Sequence, residues 1–148
     1  MKKKLLTKVF FIYFFLTSTI TAVQSNYYEE GIKLFQKKKF EESKILFERD
    51  LVFNPKNEKS YLYLAKIFDE NDNEEELEMN LKNVLLINPQ NDEAIYMLAL
   101  LKIQQSDYSE AKELIDQFTL ICKSFCSKKK EIQEKFERLI PENAKDKN

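Results

Sequence analysis

Histidine and tryptophan are absent from the chain, glycine occurs once and proline three times. Without histidine, imidazole acid–base catalysis, Ser-His or Cys-His nucleophile activation and most transition-metal sites are excluded from this chain alone. No catalytic residue, metal site or cofactor is expected. So little glycine and proline also leaves scant material for the tight turns of a β-protein. Helices joined by short polar turns are what such a composition allows. Long apolar runs are scarce too: Val9 to Leu16 falls well short of the roughly 20 predominantly apolar residues of a spanning helix.

That run belongs to a leader with the three parts of a secretory signal. Lys2, Lys3, Lys4 and Lys8 make a positive start, Val9 to Leu16 is the apolar stretch, and Thr17 to Thr21 leads into Val23-Gln24-Ser25, with short residues where a signal peptidase reads. Cleavage is expected after Ser25, with an uncleaved membrane anchor as the alternative. No cysteine stands just after the apolar run to accept a lipid. Removing residues 1–25 takes away four lysines and no acids, which leaves 20 basic and 25 acidic residues and a formal charge of −5. A chain of that sign is not expected to bind nucleic acid. The expected address is periplasmic or secreted, and the bias toward Lys, Asn, Ile and Phe has a bacterial look. After cleavage no membrane insertion is expected.

The remaining 123 residues suffice for one domain with a continuous core. Their prolines expose a repeat: Asn54-Pro55-Lys56-Asn57 returns as Asn88-Pro89-Gln90-Asn91, 34 residues later. In that register Tyr27, Tyr61 and Ile95 align, as do Gly31, Ala65 and Ala99, then Leu34, Phe68 and Lys102. Further on come Ser43, Leu77 and Ala111, then Phe47, Leu81 and Ile115. Apolar residues at helical spacing predict helices at about 26–38, 41–53, 58–70, 74–87, 92–105, 108–121 and 127–140.

The large, small and large columns match the pattern W-x2-L-G-x2-Y…A-x3-F…P, and the chain resembles the tetratricopeptide repeat family from about Gln24 to Ser124. The resemblance implies an all-α, right-handed helical solenoid of three helix hairpins, at about 24–57, 58–91 and 92–125, plus a C-terminal capping helix at 127–140. In physical terms, Gly31, Ala65 and Ala99 are small so that the two helices of a hairpin can approach, with Phe47, Leu81 and Ile115 filling the space between. Pro55 and Pro89 end the second helices. Several positions depart from the pattern. The first column holds Tyr, Tyr and Ile in place of Trp, Ser43 and Leu77 replace a small Ala, and Lys102 and Lys123 stand where an aromatic and a Pro are expected. The seventh helix, with Ile132, Phe136, Leu139 and Ile140 on one face, reads as a polar-backed cap. Pro141 stops it, and residues 142–148 read as a disordered tail.

In this family the first helices line a concave groove. The resemblance assigns to it Tyr28, Ile32 and Phe35, then Lys59, Leu62, Lys66 and Asp69, then Tyr96, Leu100 and Ile103. Apolar ends with Lys59, Lys66, Asp69 and Glu70 between them suit an extended or helical peptide with apolar anchors. Tyr96, Leu100 and Ile103 could instead pack against the final helix. The family's grip on a carboxylate terminus needs Lys, Asn and Arg where this chain has Tyr28, Ile32, Glu93 and Met97, so that mode is rejected.

Cys122 and Cys126 allow three readings. In an oxidising space a nearby pair becomes a disulfide. Residues four apart on a helix hold their Cβ atoms about 5–6 Å apart, beyond the about 3.5–4.5 Å of a disulfide, so the chain must leave helical geometry between them. The other readings are a thiol redox pair and a soft-cation site. The expected function is an exported, non-enzymatic scaffold that binds a protein or peptide; the alternatives are a thiol redox or metal-handling assembly helper and a homodimer filling its own concave face. Lys37-Lys38-Lys39 and Glu74-Glu75-Glu76 read as solvated turns, the acids also favouring a helix start.

Overall fold

The computed structural model describes residues 26–140; the expected leader and the expected tail lie outside the described residues. Helices and no strand are found there: α1 (Tyr27–Gln36), α2 (Phe40–Phe53), α3 (Glu58–Glu70), α4 (Glu74–Ile87), α5 (Asp92–Gln104), α6 (Tyr108–Ile121), a single 3-10 turn (Cys126–Lys128) and α7 (Lys129–Leu139). Every boundary lies within two residues of its expected place.

Local chemistry sets most of these boundaries. Side chains of Asn57, Asn73, Asn91 and Asp107 accept a backbone N–H in the first turns of α3 to α6, each satisfying a donor that the helix cannot. Within the hairpins the turns repeat as faithfully as the helices. Lys38, Asp72 and Ser106, spaced 34 apart, all take positive φ, at 57°, 53° and 60°. Left-handed backbone is unfavourable for such residues by roughly 1–2 kcal/mol each. It lets the N–H groups of Lys39, Asn73 and Asp107 reach back to the carbonyls of Leu34, Phe68 and Lys102 at 3.0, 2.9 and 2.9 Å, which closes each first helix.

The helices pair as α1 with α2, α3 with α4 and α5 with α6, and each hairpin packs on the next through α2 against α3 and α4 against α5. This is the all-α solenoid expected. α7 closes the far end on α6 and α5. One continuous core runs through it, from Phe47 through Ala65, Leu81, Ala99 and Phe118 to Ile132, all fully buried.

The small column behaves as packing requires. A Cβ on Gly31 would sit 2.7 Å from the Phe47 ring, so the copy with the largest filler has the smallest partner. Ser43, in the place of a small Ala, is fully buried, and its hydroxyl donates to the Gly31 carbonyl at 2.8 Å. Lys102 is buried as well. Its Nζ lies 2.7 Å from Glu78 and 3.3 Å from Glu110, and it also donates to the Gln105 side chain. A cation thus fills an aromatic's place because α4 and α6 supply carboxylates to meet it. Glu78 is held down to about 2 by hydrogen bonds from Lys102 and then Lys82, against the effect of its burial. One apolar cap residue departs from expectation: Leu139 is 48% exposed, whereas Ile132 and Phe136 are buried. It is the last residue of α7, past the end of the surface that α5 and α6 offer.

Candidate peptide groove

Helices α1, α3 and α5 lie side by side, and the face they share is where a guest chain could lie. Its centre is Tyr63 on α3. The ring stacks on Phe47 at 4.9 Å and meets Phe35 edge-on at 5.1 Å and Tyr28 at 6.1 Å. Such pairs are worth about 0.5–1.5 kcal/mol beyond the area they bury. Lys66, one turn along α3, sits 5.1 Å above the Tyr63 ring and 2.7 Å from the Glu93 carboxylate on α5. Both partners of that ion pair keep about a quarter of their side-chain surface open, so the pair itself adds little stability, about 1 kcal/mol or less.

The ten groove residues read from the resemblance divide into two sets. Tyr28, Ile32, Phe35, Lys66 and Leu100 are partly open, and Lys59 and Asp69 are exposed. Burial, then the neighbouring Tyr63, Glu29 and Asp50, push the Tyr28 hydroxyl up to about 12, so it stays a hydrogen-bond donor. Desolvation by the surrounding protein, with Glu70 and Asp72, raises the carboxyl of Asp69 although its side chain is open to solvent, and Lys135 of α7 opposes this. Leu62, Tyr96 and Ile103, by contrast, are only 9%, 7% and 2% exposed, and this corrects their assignment to the groove floor. Leu62 and Ile103 are core. Tyr96 lies between Phe118 and Phe125, and its hydroxyl donates to Glu131 at 2.9 Å. Burial and that contact push the hydroxyl up to about 12. The cap and the segment before it cover this position.

Two residues of the face were missed. Tyr63 stands four after Lys59 and three before Lys66, so helical spacing puts it on their side. Glu93 stands in the sequence only as a carboxylate-clamp position; as a partner for Lys66 it leaves no mark in local sequence.

Cys122 and Cys126 are joined, with an S–S distance of 2.06 Å and a Cα–Cα distance of 5.2 Å. α6 ends at Ile121 and the next helical turn begins at Cys126, so the chain does leave helical geometry between them. The turn they close is also gripped from outside. One oxygen of Asp92, at the start of α5, accepts the backbone N–H groups of Lys123, Ser124 and Phe125 at 2.7, 2.6 and 2.9 Å.

No protein-family profile matches the sequence, and comparison with curated proteins finds no match. Solved structures do match. The chaperone SycD of Yersinia enterocolitica, in complex with a peptide of the translocator YopD, superposes with a TM-score of 0.71 at 11% identity, over 83% of this chain and 96% of that one. The first TPR of Spaghetti (RPAP3), bound to the HSP90 peptide SRMEEVD, gives 0.68 at 15% identity, over 76% and 90%. The Sgt2 TPR domain from Aspergillus fumigatus gives 0.66 at 17% identity, over 80% and 82%. The hairpins joined at Pro55 and Pro89 therefore have the fold of a tetratricopeptide repeat domain.

Proposed function

We propose that the protein is an exported scaffold that binds a segment of a partner protein along the face shared by α1, α3 and α5. What carries the reading is the arrangement around Tyr63: part-open apolar groups of α1 on one side, Leu100 of α5 on the other, and Lys66 with Glu93 between them. An extended or helical peptide with apolar anchors on either side of a polar centre fits that face. Two neighbours in fold carry peptides, which supports a peptide guest. The scaffold role is non-catalytic. The leader at residues 1–25 directs the chain out of the cytoplasm, and an intact mass of protein from the native envelope separates cleavage after Ser25 from retention as an anchor.

A photo-crosslinking residue placed at Ile32 tests the binding face. A discrete adduct is expected in the native envelope, lost when Tyr63→Ala and Lys66→Glu are added, and not formed from the same probe at Glu113 on the outer side. Equal labelling from both positions would reject the groove. A thiol helper remains the second reading, favoured by the exposure of Cys126. Under that reading Cys126→Ser abolishes function; a scaffold with this substitution keeps its adduct.

A further inference from the structure

Three of the most exposed apolar side chains obey the repeat. Val52, Leu86 and Leu120 are 76%, 81% and 85% exposed, stand 34 residues apart and occupy the next-to-last position of α2, α4 and α6. Large apolar groups left open at the same place in every copy form a row and are not scattered surface residues. The row lies along one edge of the solenoid, where second helices end and first helices begin. Contacts across that edge are direct: Tyr27 stacks on the half-exposed Phe53 at 5.9 Å, Gln117 donates to the Pro89 carbonyl, and Asp92 holds the turn after α6.

Asn26, where the described chain begins, stands at this same edge. Ahead of it are nine residues, Thr17 to Ser25, and then the apolar run Val9 to Leu16. Nine extended residues reach about 30 Å at most. A leader held in a bilayer therefore keeps this edge nearer the lipid than any other part of the solenoid. No helix among the described residues is long and apolar enough to cross a membrane, so contact there is peripheral. Exposed charges at the helix ends here are of both signs, Lys56, Lys59 and Lys123 against Glu29 and Glu30, and their small excess of one positive charge does not call for an anionic surface.

We propose that, in the chain that keeps its leader, the edge carrying Val52, Leu86 and Leu120 rests on a lipid bilayer, with these three side chains entering the headgroup boundary. The inference rests on the exported leader proposed above in its uncleaved form, retained as an anchor, and not on the peptide face. A row spaced by one whole repeat suits a flat, continuous apolar phase, because each side chain inserts by itself.

The absence of tryptophan makes the test direct. Full-length Leu86→Trp is mixed with phosphatidylcholine vesicles whose acyl chains are brominated near the headgroup, and its fluorescence is compared with that of Glu75→Trp, an exposed site at the opposite end of α4. Quenching at position 86 about threefold or more stronger than at position 75, unchanged when phosphatidylglycerol is added, is expected for interfacial burial. Equal quenching at the two sites overturns the proposal, as does quenching that needs the anionic lipid. A blue-shifted probe at position 86 without vesicles also overturns it, because a second copy would then cover the row. None of these outcomes touches the peptide-binding reading, since no partner is present.

Discussion

The chain passes from one hairpin to the next twice through the same four-residue motif, and the two joints are held differently. At the first, Asn54 N–H bonds to the Asp50 carbonyl and Asn57 N–H to the Asn54 carbonyl, at 2.7 and 2.9 Å; at the second, Asn88 and Asn91 repeat this on Val84 and Asn88, at 2.8 and 3.1 Å. Behind the first joint lies a buried carboxylate. Asp50, 5% exposed, accepts from the side chains of Asn54, Asn57 and Ser60 at 2.9, 2.6 and 2.6 Å. Behind the second, the places of Asp50 and Ser60 are taken by Val84 and Ala94, both fully buried. The third joint, from α6 to the cap, starts with the same bond, Cys122 N–H to the Phe118 carbonyl, and then lacks the motif. A disulfide and the Asp92 carboxylate stand in for it. One backbone turn can therefore be backed by a polar network, by apolar contact or by a clamp from a distant helix.

The largest effect is expected where the first joint is turned halfway into the second. Asp50→Val leaves the buried Ser60 hydroxyl and the Asn57 amide without their acceptor, and should lower the unfolding free energy by about 3 kcal/mol. Adding Ser60→Ala reproduces the Val84 and Ala94 pair and should restore about 2 kcal/mol of that loss, since the buried hydroxyl is then gone and the Asn54 and Asn57 amides, which are not buried, can turn to water. Urea unfolding followed by far-ultraviolet circular dichroism measures both. A double variant no more stable than the single one would mean that the two joints are not interchangeable.

Next comes the third joint. Reducing Cys122–Cys126 should lower stability by about 2 kcal/mol, because so short a loop restricts the unfolded chain only modestly. Asp92→Ala should lower it by a similar amount, about 2 kcal/mol, through three charge-assisted bonds whose donors can turn to water. Both changes release one loop, so together they should remove about 3 kcal/mol and not the sum. Strict additivity in that cycle would show that the disulfide does not organise the N–H groups that Asp92 holds. Smaller again are the helix caps. Asn91→Ala should lower the melting free energy by about 1 kcal/mol, and Asn57→Ala by roughly half a kcal/mol more, because Asn57 also donates to Asp50. Equal losses would remove Asn57 from the Asp50 network.

How much of this was legible in the sequence follows the range of the interactions involved. The helices and the small column rest on contacts within a turn or a hairpin, and 34-residue periodicity marks them directly; the side-chain caps of Asn57, Asn73, Asn91 and Asp107 appear only in the structure. Lys102 looked like a defect because its partner, Glu78, is 24 residues away on another helix. Asp92 carries no mark in local sequence, because its bonds span 31 to 33 residues. In the candidate groove, the repeat register picks out residues that face the right side, such as Ile32 and Lys66. It does not say which of them the cap will cover, and Tyr96 was lost in that way. Leu62 and Ile103 failed for a simpler reason: they sit deep enough between neighbouring helices to be core.

The smallest expected effect is on the acid limb of stability, and it separates the third joint from the other two. Burial alone would raise the Asp92 carboxyl, but the bonds from Phe125, Lys123 and Ser124 together outweigh it and hold the group below its usual value. A carboxyl lowered in the folded state contributes stability that is present in full above its unfolded value, about 3.9, and is lost as the pH falls through the folded one. Glu78, held down to about 2, acts in the same direction over the same range. The wild-type protein should therefore lose stability as the pH falls below about 4, and Asp92→Asn should flatten part of that decline while Glu78 maintains the rest. Because Asp92 touches only the turn after α6, the flattening should show most clearly in amide hydrogen exchange at Lys123, Ser124 and Phe125 and be absent at Asn57 and Asn91. Parallel changes at all three joints on acidification would mean that Asp92 acts on the whole solenoid and not on its last turn.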